Sequence, residues 1–362
     1  MNNTKLLLTS SVLAILSATA HAQILWSSLD PQPTSSDTVV INNNDVYLLD
    51  VAGEADILRI ANQATGESGT LNIAQNHTLT VARFVQLGTQ AGPGYVNQSN
   101  GTVTADQFSI NHNSAGALSE YNLSGGSATA TTRVTVNNQG LLDISGGTLT
   151  TPELIANGTV TIDGGTIART ITGVNTSIGG TGKVELLSGS YALTGGGATD
   201  QINLGAALIE VSGGTLDWTG QVRGGLNGTF RVIGNEATID MGRLNAQTGL
   251  EHTLDFVLGE SGISTITVDG FVHLSGATIN IDGSAYTGGA GTFDLISTPN
   301  LASASSSITL TGFDTFEDAF VTQSTADNIF TLTIIPEPRV YGLALGLLAL
   351  AWIGMRRFRA RD

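Results

Sequence analysis

The chain has 362 residues, of which 46 are glycine and none is cysteine, and it carries 14 basic against 30 acidic side chains. Glycine is nearly twice as frequent as the ~7% of average proteins, whereas charged residues are about half as frequent as usual. The lack of cysteine excludes disulfides, thiolate metal clusters and thiol nucleophiles, and a hydrophobic share of 41% excludes a disordered acidic tail.

The first 22 residues have the organisation of a secretory signal peptide. Lys5 precedes an apolar run over residues 6–18, and Ala20 and Ala22 occupy the −3 and −1 positions of a small-residue cleavage site. The apolar run is shorter than the ~20 residues that a membrane-spanning helix needs, which argues against the alternative of an N-terminal anchor. We expect signal peptidase to cut after Ala22, so that the exported chain starts at Gln23.

Residues 23–250 repeat short, strand-like units. The segments 101–111, 126–137 and 147–157 each run from a glycine through a threonine-rich stretch to an asparagine. Apolar and polar side chains alternate within the units, which is the period of a half-buried strand, and the glycines supply positive φ at corners. The pattern predicts an all-β fold with a right-handed parallel β-helix, or solenoid, over 23–250; a β-sandwich is the alternative. The units resemble the β-helical repeats of autotransporter passengers.

Residues 251–335 contain longer strand-like runs with larger side chains. Six of the eleven phenylalanines lie between Phe271 and Phe330. The last coil of a solenoid exposes an unpaired strand edge that has to be covered. We therefore expect residues 251–335 to form a small antiparallel β cap.

The last 27 residues combine three parts in a fixed order. The triplet Pro336, Glu337 and Pro338 is followed by the uncharged, mostly apolar residues 340–355. A basic cluster that contains Arg356, Arg357 and Arg359 comes last. This order resembles the PEP-CTERM sorting signal of Gram-negative bacteria, and 251–335 is similar to the segment that precedes it. The resemblance implies a single transmembrane sorting helix within 336–362, processing by an exosortase near the triplet, and a host that makes exopolysaccharide. A permanent single-pass anchor is the alternative.

Without the two terminal signals, residues 23–335 carry eight basic and 28 acidic side chains, a net charge of −20. Such a surface repels phosphate backbones, so we expect no nucleic-acid partner. It suits divalent cations better. Five aspartates end strand-like runs and could bind Ca²⁺ through carboxylate and carbonyl oxygens if they stacked along one edge, although ordinary turn chemistry is the alternative; they are Asp143, Asp163, Asp240, Asp269 and Asp282. We otherwise expect no cofactor.

The remaining candidates for chemistry do not form a recognisable catalytic motif. The histidines of the exported chain lack the spacing of a zinc-binding pair, and we expect each to be an exposed strand or turn residue; they are His77, His112, His252 and His273. Trp218, next to Asp217, is the best candidate for stacking on a sugar ring. A glycosidase, however, needs two carboxyl groups about 5 Å or about 6.5–9.5 Å apart in a groove, and the acids here are spread along the chain.

Thr-x-Thr motifs recur along the chain, beginning at Thr78, Thr102, Thr148, Thr159 and Thr265. Stacked on one flat face, their hydroxyl groups could order water or ice. The irregular spacing between copies argues against a regular lattice, and any solvated strand face favours threonine.

The sequence therefore predicts an exported, non-enzymatic protein with a structural or adhesive role. It would pass through the inner membrane, contacting it with the C-terminal helix, and end on the cell envelope surface or in the extracellular matrix. The predicted partners are signal peptidase and exosortase, with exopolysaccharide as a further candidate. Two alternatives remain: a β-helix lyase or glycosidase that acts on polysaccharide, and an ice- or carbohydrate-binding protein.

Overall fold

The computed structural model describes residues 23–62, 66–113, 117–170, 176–177, 181–194, 201–223, 228–246, 252–303, 307–314, 316 and 318–335. These residues form 28 strands and one three-residue 3-10 turn, Trp26–Ser28, and no helix among them has the length and apolarity that a membrane crossing needs. The first fourteen strands are β1 (Gln23–Leu25), β2 (Thr38–Ile41), β3 (Asp45–Leu48), β4 (Gly53–Ile60), β5 (Gly69–Ile73), β6 (Thr78–Leu87), β7 (Gly94–Gln98), β8 (Thr102–Ile110), β9 (Ser119–Val136), β10 (Gly140–Thr150), β11 (Leu154–Ala156), β12 (Thr159–Thr170), β13 (Thr176–Ser177) and β14 (Lys183–Thr194). The others are β15 (Gln201–Asn203), β16 (Leu208–Val211), β17 (Gly214–Arg223), β18 (Gly228–Ile233), β19 (Ala237–Asn245), β20 (His252–Val257), β21 (Ile266–Val268), β22 (Phe271–His273), β23 (Ala277–Asp282), β24 (Gly291–Ser297), β25 (Asn300–Ser303), β26 (Ser307–Thr311), β27 (Asp318–Ser324) and β28 (Ile329–Ile335).

The strands wind into a solenoid with three faces, because each segment pairs in parallel with the equivalent segment one turn later. The first face runs from β1 through β3, β5 and β7 to β23 and β26. The second face begins with the first half of β4 and continues through β6, β8, β9 and β10, and the third begins with β2 and the second half of β4. Residues 45–246 make about nine turns. The predicted solenoid is thus confirmed, and parallel pairing excludes the β-sandwich.

The predicted boundary at residue 250 has no counterpart in the strand pairing. β18 pairs in parallel with β20, β20 with β23, and β23 with β26, so the winding continues through Thr311. Among the described strands, antiparallel pairing joins β24 to β28 and β28 to β27. An antiparallel cap over 251–335 is therefore not confirmed. The larger side chains that suggested a separate cap fill the same core, as Phe256 does on β20 with the same alternating burial as β18.

The core is a column of inward-facing side chains that stack from turn to turn. On the second face Leu79, Val103, Ala128 and Leu149 follow one another in register, and all are buried. Aromatic rings join neighbouring turns by edge-to-face contacts, with centroids 5.6 Å apart for Phe108 and Tyr121. Such pairs add about 0.5–1.5 kcal/mol beyond the area that they bury. The strand ladder and this column stabilise a fold that has no disulfide.

Two polar side chains in the core, Gln98 and Tyr121, are hydrogen-bonded to each other. The Tyr121 hydroxyl donates to Gln98 Oε1 at 2.7 Å, and Gln98 Nε2 donates to the carbonyl oxygens of Gly101 and Ser127. Burial raises the pKa of the Tyr121 hydroxyl well above its usual range, so this group remains a donor. The network joins two successive turns from inside the core.

Candidate functional site

The most regular surface is the second face, which presents two rows of outward side chains. The first row has a hydroxyl group on each of eight successive turns: Thr78, Thr102, Ser127, Thr148, Thr166, Ser190, Thr215 and Thr238. The second row, two residues further along each strand, is Thr80, Thr104, Thr129, Thr150, Ala168, Ala192, Asp217 and Asp240. None of the sixteen side chains is buried. We call these two rows the threonine face.

The irregular sequence spacing of the motifs does not disturb this alignment. In the strands that carry the two rows, the register shifts lie outside the rows, where one face turns into the next. Examples are the shifts between Thr80 and Phe84 and between Trp218 and Gln221. Corners of different length therefore absorb the differences in spacing. The threonine face keeps one-to-one pairing, with Thr102 and Ser127 sharing a hydrogen bond of 3.1 Å.

A stack of glycine corners sets the start of each row. Gly126 and Gly147 precede Ser127 and Thr148 and have φ values of +74° and +67°, which L side chains rarely adopt. A Cβ atom on Gly147 would lie 2.6 Å from the carbonyl oxygen of Gly126 on the turn below. Because that oxygen belongs to the backbone, only glycine fits at this corner.

Charge is unevenly distributed around the threonine face. Its first six turns, from Thr78 and Thr80 to Ser190 and Ala192, carry no charged side chain in either row. Glu54 pairs with Thr80 from the preceding turn, and Asp217 and Asp240 end the second row. An uncharged strip thus lies on a chain whose residues 23–335 have a net charge of −20.

The first face carries a different ladder, built from amides. Asn97 Nδ2 donates to Asn72 Oδ1 and Asn122 Nδ2 donates to Asn97 Oδ1, each at 3.0 Å. Asp143 is the next residue of the ladder, since it pairs with Asn122. Burial, with the charges of Asp163 and Glu120, raises the pKa of the Asp143 carboxyl. Its charge is therefore disfavoured in the folded state.

Further along the first face the ladder becomes ionic. Lys183 bridges Glu185 and Glu210 at 2.6 and 3.0 Å, and Arg231 bridges Glu210 and Asp255 at 3.3 and 3.0 Å. Both cations keep about a third of their side-chain surface exposed, so each pair contributes at most about 1 kcal/mol. These charges are engaged with one another.

The shallow clefts outside the threonine face include two on or beside the third face. One, of about 590 Å³, follows the corner between the third and first faces and is lined by Leu118, Leu141 and Leu208 with Asn138 and Asn157 at its rim. The other, of about 390 Å³, lies on the third face. There Arg133 Nε donates to Gln107 Oε1, so the guanidinium is already bonded to a neighbouring turn.

The structure corrects the position of Trp218. Its ring is fully buried, between Tyr191 at 5.5 Å and Phe230 at 6.1 Å centroid separation. It cannot stack on a sugar ring in this position. Asp217 does face solvent, next to Asp240 on the following turn, but both carboxylates project from an open sheet face.

The histidines do not come together. His77 interacts with Gln75 and His273 with Ser275, and His112, whose pKa is lowered by burial and by Arg59, interacts with Ser109. His252 was predicted to be exposed, and this is wrong: its ring is buried, no hydrogen-bond partner for it lies among the described residues, and burial lowers its pKa to about 4. The alternation along β20 places His252 on the same side of the strand as Leu254 and Phe256, and this pattern could have indicated that the ring is buried.

The five aspartates proposed for Ca²⁺ do not share one edge. Asp143 lies in a row of the first face and Asp240 in a row of the threonine face, while Asp163 accepts a hydrogen bond from Ser188 at a corner. Asp282 accepts one from the backbone of Ser284, as a turn residue does. Within the part of the chain that the structure describes, no group of three potential metal ligands occurs.

The processing residues lie outside the described part of the chain; they are Ala20, Ala22, Pro336, Glu337, Pro338, Arg356, Arg357 and Arg359. The Thr-x-Thr motif at Thr159 and Thr161 lies on the first face, and the one at Thr265 lies one turn beyond the threonine face, where Thr267 pairs with Asp240. Five members of the first row could not be recognised by the Thr-x-Thr motif, because serine replaces its first threonine or its second threonine is absent. These residues are Ser127, Thr166, Ser190, Thr215 and Thr238.

No protein family model, characterised protein or solved structure matches this chain.

Proposed function

We propose that this protein is an exported, non-enzymatic rod, wound as a right-handed β-helix, with a structural or adhesive role at the cell envelope surface or in the extracellular matrix. The observation that supports a structural role is the pairing of outward side chains from turn to turn. The amide ladder at Asn72, Asn97 and Asn122 and the ionic ladder at Lys183 and Arg231 bond along the rod axis. Polar groups used in this way reinforce the rod instead of converging on a substrate.

The proposed route to the surface depends on the two ends of the chain. Signal peptidase would remove residues 1–22, and an exosortase would act near Pro336, Glu337 and Pro338 while the C-terminal helix holds the chain in the inner membrane. This part of the proposal rests on the resemblance of residues 336–362 to a PEP-CTERM signal.

The sorting step is tested by replacing Pro336, Glu337 and Pro338 with alanine and following the protein in membrane and extracellular fractions. We expect the variant to stay in the membrane with its arginine cluster attached, as shown by mass spectrometry of its C-terminus. Pro299→Ala, at an exposed position, is the control and should be processed normally. Release of the triple variant with the same new C-terminus would overturn the sorting proposal.

The structural or adhesive role is tested with purified protein and the host's exopolysaccharide. We expect the protein to sediment with the polysaccharide and to leave its chain length unchanged. Shortening of the polysaccharide would instead establish the lyase or glycosidase alternative. In that case Asp217→Asn and Asp240→Asn, at two carboxylates on adjacent turns of the threonine face, would be the first variants to assay.

A further inference from the structure

We propose that the threonine face binds the surface of ice. This inference does not depend on the route by which the protein is exported. It concerns the six uncharged turns from Thr78 and Thr80 to Ser190 and Ala192, and it starts from their alignment.

The alignment creates a two-dimensional array of hydroxyl groups. Successive turns of a parallel sheet lie about 4.8 Å apart, and two outward positions on one strand lie about 6.6 Å apart. Over the first four turns every point of this array is a threonine or a serine, namely Thr78, Thr80, Thr102, Thr104, Ser127, Thr129, Thr148 and Thr150. The irregular spacing of the motifs in the sequence, which argued against a lattice, has no effect on the array because the corners absorb it.

The chemistry of the array suits ordered water. A hydroxyl group both donates and accepts hydrogen bonds, as each water molecule in ice does. Threonine is stiff at χ1 because it is β-branched, so its hydroxyl and methyl groups occupy fixed positions at low entropic cost. The strand ladder holds the rows in place before any ligand arrives, which reduces the cost of binding further.

The charge pattern selects a neutral partner. The strip lacks the cations that a phosphate or carboxylate polymer requires, and no aromatic side chain stands in either row to stack on a soluble sugar. A second copy of residues 23–335 would bring another charge of −20 towards the first. An extended, flat and uncharged hydrogen-bonding lattice remains as the best-matched occupant, and ice is such a lattice.

The chain offers a matched pair of variants for the test. The sequence Thr-Val-Thr occurs at 102–104 on the threonine face and at 159–161 on the first face, and its last threonine is half-buried in both places. Thr104→Tyr places a bulky ring in the array, whereas Thr161→Tyr makes the same change elsewhere. Urea unfolding midpoints should confirm that both variants remain folded.

The experiment measures partition of the fluorescently labelled, full-length exported protein into a growing ice hemisphere, together with thermal hysteresis. We expect the unmodified protein and Thr161→Tyr to enter the ice, and Thr104→Tyr to be excluded from it. Exclusion of the unmodified protein, or equal incorporation of both variants, would overturn the proposal. Binding to crystalline cellulose or chitin that Thr104→Tyr abolishes, without any uptake into ice, would also overturn it and assign the face to crystalline polysaccharide.

Discussion

The glycine corner before the threonine face allows a quantitative test of the stacking. Gly147→Ala introduces a Cβ atom at a residue whose φ is +67°. The same atom would lie 2.6 Å from the carbonyl oxygen of Gly126, which belongs to the adjacent turn. The substitution therefore combines an unfavourable backbone conformation with a clash against backbone that cannot move aside without shifting the ladder.

The magnitude follows from these two contributions. An L residue in the left-handed region costs about 1–2 kcal/mol, and forcing an extra carbon into a packed site costs about 1–3 kcal/mol. We expect Gly147→Ala to lower the free energy of unfolding by about 3 kcal/mol in total. Three other glycines separate the contributions, because they differ in φ and in the space around them.

Gly66→Ala tests the conformational cost alone, since its φ is +79° and no atom lies within 4 Å of the added carbon. Gly158→Ala tests the close approach alone, with two carbonyl oxygens 2.4 Å away, and Gly289→Ala, in open space, tests neither. Urea unfolding of the four variants, followed by far-ultraviolet circular dichroism, should rank them with Gly147→Ala least stable and Gly289→Ala unchanged. If Gly147→Ala is as stable as Gly289→Ala, the stacked corners are not as described.

Three further predictions concern single side chains. Tyr121→Phe should lower the free energy of unfolding by about 1–3 kcal/mol, because it leaves Gln98 Oε1 buried without its donor; an unchanged urea midpoint would contradict the network. Asp143→Asn should raise stability at pH 7 by about 0.5–1.5 kcal/mol, because an amide can continue the asparagine ladder and removes a disfavoured charge. This gain should shrink as the pH falls through the raised pKa of Asp143, where the native carboxyl is already neutral, and a gain that grows on acidification would refute it. The free energy of unfolding should also fall by about 3 kcal/mol as the pH is lowered from 6.5 to about 4, because His252 binds a proton in the unfolded state but not when it is buried. In urea titrations, His252→Leu should remove this component of the pH dependence. An identical pH profile for the two proteins would be inconsistent with a buried neutral ring.

The strand content and the winding could be predicted from local patterns. Alternation of apolar and polar residues and the glycines at corners such as Gly126 and Gly147 depend only on neighbours in the sequence. These signals correctly indicated a solenoid. They could not locate its C-terminal limit, because a strand that pairs in parallel and one that pairs in antiparallel fashion have the same alternation, as β23 and β28 do.

The threonine face could not be predicted because register depends on the corners. Insertions of different length between motifs suggest misalignment, yet a bulge at a corner returns the next strand to register. The burial of Trp218 and His252 was missed for a related reason. The apolar residues two positions away, Leu216 for Trp218 and Leu254 for His252, determine that these side chains point inward. The polar residue directly next to each of them does not show on which side of the strand the side chain lies.

The alignment of the threonine motifs is tested most directly by distances between spin labels. Since the chain has no native cysteine, labels can be placed by Thr102→Cys combined in turn with Thr166→Cys, Thr215→Cys and Thr238→Cys. These partners lie three, five and six turns from Thr102. At about 4.8 Å per turn, the backbone separations should be about 14, 24 and 29 Å, and electron–electron resonance distances should increase in proportion. Distances that do not increase with the number of turns would contradict the in-register solenoid and the face built on it.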